Sequence, residues 1–190
     1  MTQLMRARDL IGLPVVSVTS GEDIAEIRDV VYDGEHHELI GFTLNKRGFL
    51  GGRLRAVLSG KSVDGIGTDA VMVTDDSAVE RNEDAPEALL HPERARAVIG
   101  NRVLSADGTD LGRIVAVILR TGSAPEAVGY EFAQTSSEET SFFPIAAQVA
   151  LSGENVVLPK ESTEFFKNDL VGFGASIASY RSARLETSAP

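Results

Sequence analysis

The stretch at residues 6–12 reads Arg6-Ala7-Arg8-Asp9-Leu10-Ile11-Gly12, and it recurs at residues 94–100 as Arg94-Ala95-Arg96-Ala97-Val98-Ile99-Gly100. Three further segments repeat in the same order: Gly21–Ile27 matches Gly108–Ile114, Ile40–Phe42 matches Val128–Tyr130, and Val71–Val73 matches Val156–Leu158. An ordered series of matches is typical of an internal repeat. The chain is therefore predicted to contain two tandem copies of one module.

Each copy has the apolar spacing of β-strands rather than of helices. After a turn at Ser20–Asp23, one strand of the first copy places alternate residues on one face, namely Ala25, Ile27, Asp29 and Val31. The second copy keeps this spacing with Gly112, Ile114, Ala116 and Ile118, and the strand that follows alternates apolar residues in both copies. A period of two predicts half-buried strands. The predicted fold is mainly β, with two tandem small β-barrels and a C-terminal helical tail.

The repeat and the proline positions predict the domain boundaries. Residues 1–75 form the first barrel and residues 94–162 the second. Residues 76–93 are acidic, contain Pro86 and Pro92, and are interpreted as a linker with a short helix at Glu87–Leu90. Residues 163–190 form a tail with a frayed end. Its apolar residues have the 4, 3, 4, 3 spacing of an amphipathic helix: Phe166, Leu170, Phe173, Ile177 and Tyr180.

Composition excludes several classes of function. The 190 residues include no cysteine, which rules out disulfides, thiolate metal sites and cysteine nucleophiles. A net charge of −10 disfavours nucleic acid, because binding to polyanions depends on lysine and arginine displacing counterions. No apolar run approaches the roughly 18 residues that a membrane span needs. We expect a cytoplasmic protein that spans no membrane and binds no nucleic acid.

The repeated motifs resemble the PRC-barrel family. The resemblance rests on Leu10-Ile11-Gly12 with Val15, a Gly-x-x-Ile-x-x-Ile turn and strand, Asp29–Asp33, Ile40–Phe42, and the closing Asp69–Val73. The second copy resembles the family more loosely, since Ala116 stands opposite Asp29. The family includes barrels of the photosynthetic reaction centre H subunit and of the ribosome maturation factor RimM, and also archaeal cell-division adaptors. The resemblance implies a barrel without catalytic residues that docks another protein.

Few residues have the arrangement of a chemical site. His36 and His37, flanked by acidic residues, are the one cluster with metal-ligand chemistry, but a hairpin turn would leave them in solvent. His91, beside Pro92, completes no serine triad. We expect no metal, no cofactor and no catalytic residue.

Structural roles are assigned to Gly12, Asp29, Gly41, Gly100 and Gly129. A regular strand would turn Asp29 inward, where a carboxylate needs a hydrogen-bond donor. A β-bulge would instead turn this residue outward. The alternatives for Asp29 are therefore a carboxylate that caps backbone amides inside the barrel and one that faces solvent.

Two groups of residues are the candidate partner-binding surfaces. Lys46, Arg47, Arg53 and Arg55, with Lys61, form the one basic cluster of an acidic chain; the alternative is a solvated face. The corresponding part of the second copy, Ser136–Thr140, contains two glutamates instead. The apolar stripe of the tail is the other candidate; it either packs on the barrels or contacts a partner or a second copy of the chain.

The leading hypothesis is a protein-interaction adaptor that docks a protein partner of unknown identity through the basic cluster or the tail. The alternative is a factor associated with ribosome or RNA maturation that resembles RimM. A third interpretation, a carrier or enzyme with a pocket between the modules, has no supporting motif. A homo-oligomer is compatible with all three.

Overall fold

The computed structural model describes residues 3–33, 38–47, 52–83, 85, 87–90, 98–122, 125–145, 150–152, 154–159 and 164–177. The first half of the chain forms eight strands and one short helix. These are β1 (Leu4–Arg6), β2 (Pro14–Ser17), β3 (Asp23–Asp33), β4 (Glu38–Asn45), β5 (Arg53–Ser59), β6 (Gly65–Ile66), β7 (Val71–Val73), β8 (Val79–Arg81) and α1 (Glu87–Leu90).

The second half forms six further strands and a helix. The strands are β9 (Arg102–Ser105), β10 (Asp110–Arg120), β11 (Glu126–Gln134), β12 (Thr140–Pro144), β13 (Ala150–Leu151) and β14 (Asn155–Leu158). Helix α2 covers residues 170–177 of the described chain. Three single-turn 3-10 helices, at Ala7–Leu10, Gly60–Ser62 and Asp76–Ala78, connect strands in the first half.

The chain forms two compact units. The first consists of Met1–Ala97 together with Leu119–Ala127, and the second of Val98–Ile118 together with Val128–Pro190. The first unit therefore includes the ends of β10 and β11, which belong to the second copy of the repeat. Within this unit the N-terminal strand is tied to that segment, because Thr121 donates its backbone N–H to the carbonyl oxygen of Gln3 at 2.8 Å.

Each unit is built on one curled sheet, and the two sheets have the same strand order. The first unit has the order β6-β7-β2-β3-β4-β5-β8, and the second has β13-β14-β9-β10-β11-β12. In both, one neighbouring pair is parallel: β2 with β7 in the first unit, and β9 with β14 in the second. The predicted fold class, mainly β with tandem PRC-type barrels, is confirmed. The order in the first unit has seven strands and ends with β8, whereas the matching order in the second unit has six strands among the described residues.

The repeated Ile-Gly motif makes the same turn in both units. Gly12 and Gly100 have φ angles of +89° and +91°, in the left-handed region that favours glycine. Their N–H groups donate to the carbonyl oxygens of Ile27 and Ile114, each at 2.8 Å. The structural roles of these two glycines follow from this geometry.

A bulge in β3 corrects the prediction that Asp29 lies on the same face as Ile27. Ile27 pairs with Leu44, whereas Asp29 pairs with Thr43, so Arg28 is an extra residue in the strand. Since Leu44 and Thr43 are neighbours that point to opposite faces, Asp29 lies on the face opposite Ile27. It is exposed, and its Oδ1 accepts a hydrogen bond from the N–H of Val30 at 2.9 Å. Sequence spacing alone could not reveal the added residue.

The bulge also creates a second, outer apolar cluster in the first unit. Val31 shares the outer face with Val57, and both side chains pack against Leu89 of α1. Leu89 is 1% exposed. The helix predicted at Glu87–Leu90 is present, and with β8 it places part of the 76–93 segment in the first unit.

Helix α2 packs on the second unit in a comparable way. Phe173 is fully buried, its ring stacks on that of Phe142 with centroids 5.7 Å apart, and Ile177 is also buried. Asp169 caps the helix by accepting the N–H of Gly172 at 2.7 Å. A partner cannot reach Phe173 or Ile177 while this helix stays packed. Among the candidate contacts in the tail, Phe166 and Leu170 are half-buried, and Tyr180 lies outside the described residues.

None of the helices in the described part of the chain is long and apolar enough to cross a membrane.

Candidate functional site

The basic cluster lies around the ends of β4 and β5 in the first unit. Lys46 and Arg55 are exposed. Arg47 forms ion pairs with Asp23 and, at 3.8 Å, with Glu26. Because Arg47 is already paired within the unit, Lys46 and Arg55 are the members of the cluster best placed to meet a partner. The side chain of Arg53 lies outside the described part of the structure.

A groove opens beside these two cations. Its lining combines apolar and charged side chains from the last strands of the sheet: Lys46, Leu54, Arg55, Ala56, Val79, Arg81, Asn82 and Glu83. The sequence alone did not identify the last four, Val79, Arg81, Asn82 and Glu83, as candidate site residues, because the segment after residue 75 was interpreted as a linker. The short alternation Val79-Glu80-Arg81 was the available signal, but three residues are too few to establish a strand from sequence.

The register of β5 and β8 explains how the groove is built. Ala56 pairs with Arg81 and Leu58 with Val79, so these side chains share one face of the sheet. Glu80 pairs with Val57 and lies on the other face, where α1 packs. The groove therefore has an apolar floor around Ala56 and Val79, with the exposed guanidinium of Arg81 at its side.

A capped turn leads into β8. The carboxylate of Asp75 accepts hydrogen bonds from the hydroxyl and the backbone N–H of Ser77, and these bonds lower the pKa of Asp75 below its ordinary value. Val79 then donates its N–H to the carbonyl oxygen of Asp76. The strand thus begins from a defined turn, and this fixes the position of Val79 at the groove.

The second unit has a larger side chain at the position that corresponds to Val79. Gly41 and Gly129 are matched in the repeat. Two residues beyond each glycine, Thr43 pairs with Val57 and Glu131 pairs with Phe142, so Phe142 is the counterpart of Val57. Phe142 forms an antiparallel bridge with Lys167, just as Val57 pairs with Glu80. Phe166 is therefore the counterpart of Val79. Its ring packs edge-on against Phe132, with centroids 5.2 Å apart.

Polar groups complete the filled site. Asn168 is the counterpart of Arg81, and its Oδ1 accepts a hydrogen bond from the hydroxyl of Ser141 at 2.8 Å. Ser141, the counterpart of Ala56, is buried. At this edge the first unit therefore has the smaller Val79 in place of Phe166, and Arg81 in place of an asparagine that hydrogen-bonds to its neighbour.

The predicted glycine sites act by close approach of the backbone. A Cβ atom on Gly41 would lie 2.2 Å from the carbonyl oxygen of Leu58, and one on Gly129 would lie 2.2 Å from the ring of Phe173. Both positions therefore require glycine, in the first unit for strand pairing and in the second for helix packing.

The histidine cluster at His36 and His37 lies outside the described residues. Across the ranges that the structure describes, no group of three or more histidine, aspartate or glutamate side chains is placed to hold a metal ion.

Comparison with protein families agrees with this architecture. Residues 3–80 match the family model of the PRC-barrel domain. The match runs from just before β1 into β8, so it includes most of the strands that build the groove. A search of curated proteins gave no significant match. Residues 3–80 of this chain are therefore similar to a PRC-barrel domain, and a second unit with the same strand order follows them.

Proposed function

We propose that this protein is a cytoplasmic, non-catalytic adaptor that docks a protein partner through the groove of its first unit. The observation that carries the proposal is the groove itself: exposed Lys46, Arg55 and Arg81 surround an apolar floor in a chain of net charge −10. A local basic site on an acidic protein favours a partner with a complementary acidic patch.

The difference between the units supports docking at this site in particular. The two sheets share strand order, so the groove is not required by the fold. In the second unit Phe166 and Asn168 occupy the equivalent position and make internal contacts. A site that one copy fills and the other leaves open is available for a second molecule.

Cross-linking capture from lysate of the native host tests the proposal. The full chain is compared with a variant that carries Lys46→Glu, Arg55→Glu and Arg81→Glu. The control carries Arg8→Glu, Arg102→Glu and Arg113→Glu, three exposed residues outside the basic cluster that change the net charge equally. Hydrogen exchange confirms that each variant keeps the fold. Any enriched protein is identified and its binding measured again with purified components.

We expect one protein to be captured by the full chain and by the control, with affinity about tenfold or more lower for the groove variant, since each charged contact contributes roughly 1–3 kcal/mol. Equal capture by the groove variant would contradict the proposal. Capture dominated by ribosomal components with steep salt dependence would favour the maturation-factor alternative.

A further inference from the structure

The sheet edge beside the groove has backbone groups directed away from the sheet. Asn82 donates its N–H to the carbonyl oxygen of Arg55 at 3.3 Å, so the hydrogen-bonded positions of this antiparallel pair are Asn82 and Glu80. Because backbone groups alternate in direction along a strand, the N–H and C=O of Arg81 point away from β5. Among the described strands, β8 is the last of its sheet, so another strand can add at this edge.

The side chains at this edge specify what an added strand should contain. Val79 and Arg81 are two residues apart and share the groove face. A residue placed opposite Arg81 meets a cation, with Lys46 and Arg55 also lining the groove. A residue opposite Val79 meets the apolar floor, in the position that the ring of Phe166 fills in the second unit. Glu80, on the other face, disfavours an acidic residue between them.

We propose that the groove binds an extended acidic segment of the partner protein, which adds as a strand to the outer edge of β8. The segment has an acidic residue opposite Arg81 and a large apolar residue two positions away, opposite Val79. This inference rests on the proposed docking function and names the chemistry of its partner. Glu83 within the groove and the net charge of −10 disfavour a nucleic acid at the same site.

The second unit shows that a short segment can join this end of the sheet, since the segment around Lys167 is the counterpart of β8. There a short segment around Lys167 joins the edge of β12: Phe142 donates its N–H to the carbonyl oxygen of Lys167 at 2.7 Å, and Lys167 donates back to Phe142 at 3.2 Å. The flanking Phe166 and Asn168 fill the groove positions. In the first unit Val79 and Arg81 hold these two places, so a partner segment would lie one strand further out, on the outer edge of β8.

The test titrates the full chain, labelled with ¹⁵N, with an acetylated peptide of sequence Thr-Asp-Thr-Phe-Thr-Asp-Thr-Phe-Thr. A matched peptide has lysine in place of each aspartate, and a thymidine oligonucleotide tests the nucleic-acid alternative. Amide chemical shifts locate the binding site. Two variants separate the contacts: Arg81→Glu reverses the cation, and Val79→Phe fills the apolar position as Phe166 does in the second unit. Val171→Phe, on an exposed position of α2, is the control for the added ring.

We expect saturable shifts of the β5 and β8 amides with the acidic peptide. The affinity for this peptide should be at least about tenfold lower for Arg81→Glu and for Val79→Phe, and unchanged for the control. Equal binding of the lysine peptide or the oligonucleotide at the same amides would overturn the proposal. So would acidic-peptide shifts confined to other strands, or none at all. If the peptide fails while lysate capture still depends on the groove cations, the docking function stands and the extended acidic segment is wrong.

Discussion

The two units have different residues at the same edge of the sheet. In the first, β8 pairs with β5 and presents Val79 and Arg81; in the second, a single bridge at Lys167 is flanked by Phe166 and Asn168. In the second unit the larger ring of Phe166 packs against Phe132, and Asn168 accepts a hydrogen bond from Ser141. A repeated barrel can thus keep its fold in both copies while the residues at this edge of the sheet differ.

The two short helices extend this comparison. Leu89 of α1 packs on Val57, and Phe173 of α2 packs on the equivalent Phe142. In each unit, a large side chain from a following helix therefore packs on the outer face of the sheet. The helices differ in their contacts: Leu89 packs with the aliphatic Val31 and Val57, whereas Phe173 stacks on the ring of Phe142 and lies against Gly129.

The largest effect is expected from Phe173→Ala. Removing a buried phenylalanine side chain costs about 3–5 kcal/mol, because the transfer free energy is lost and a cavity remains. Hydrogen exchange with peptide resolution should show reduced protection of the β11 and β12 amides. Val171→Ala in the same helix is the control, since Val171 is 86% exposed. An equal effect of the two substitutions would contradict the packing role of α2.

A smaller effect is expected from Leu89→Ala. The free energy of unfolding should fall by about 2–3 kcal/mol, at the lower end for buried leucines, because its cluster contains few residues that could lose contacts. Protection of the β3 and β5 amides is the measurement, and the half-buried Leu90→Ala is the control. A loss as large as that for Phe173→Ala would show that the two helices contribute equally, and would remove this difference between the units.

The smallest effect is expected at the turn between β9 and β10. The hydroxyl of Ser105, followed by Thr109, donates to the carboxylate of Asp107 and lowers its pKa below the ordinary value of 3.8. Arg102 does the same for Asp110, aided by Thr135. A lowered carboxylate pKa contributes stability that is present above pH 3.8 and lost as the pH falls through the lower, folded value.

The amides of Gly108 and Thr109 should therefore lose protection below about pH 4, with little change in the barrel strands. Asp107→Asn should make the protection of these amides less dependent on pH, since a side-chain amide does not titrate in this range. NMR spectra recorded from neutral to acid pH provide the measurement. Loss of the β10 and β11 amides at the same pH as the turn would mean that acid unfolds the whole unit and that the turn has no separate transition.

Much of the fold could be predicted because local patterns carry it. The repeated Ile-Gly turn has nearly the same φ angle and the same hydrogen bond in both units. Ile114, Ala116 and Ile118 of β10 are buried as expected, and Val117 and Leu119 are buried as well. The helix at Glu87–Leu90 was also predicted correctly. Of the candidate site, Lys46 and Arg55 were identified from charge alone, whereas Arg81 and Val79 were not, because a three-residue strand has too weak a local signal.

The sequence by itself determined the tandem repeat, the β-rich modules and the location of the basic cluster, since each depends on residue type and short-range spacing. Only the tertiary structure decided the rest. The bulge at Arg28 sets the face of Asp29, and the pairing of β5 with β8 brings Arg81 to the groove. Leu119–Ala127 joins the first unit although it belongs to the second repeat. These features depend on strand register and on contacts between residues far apart in the chain, which no local pattern specifies.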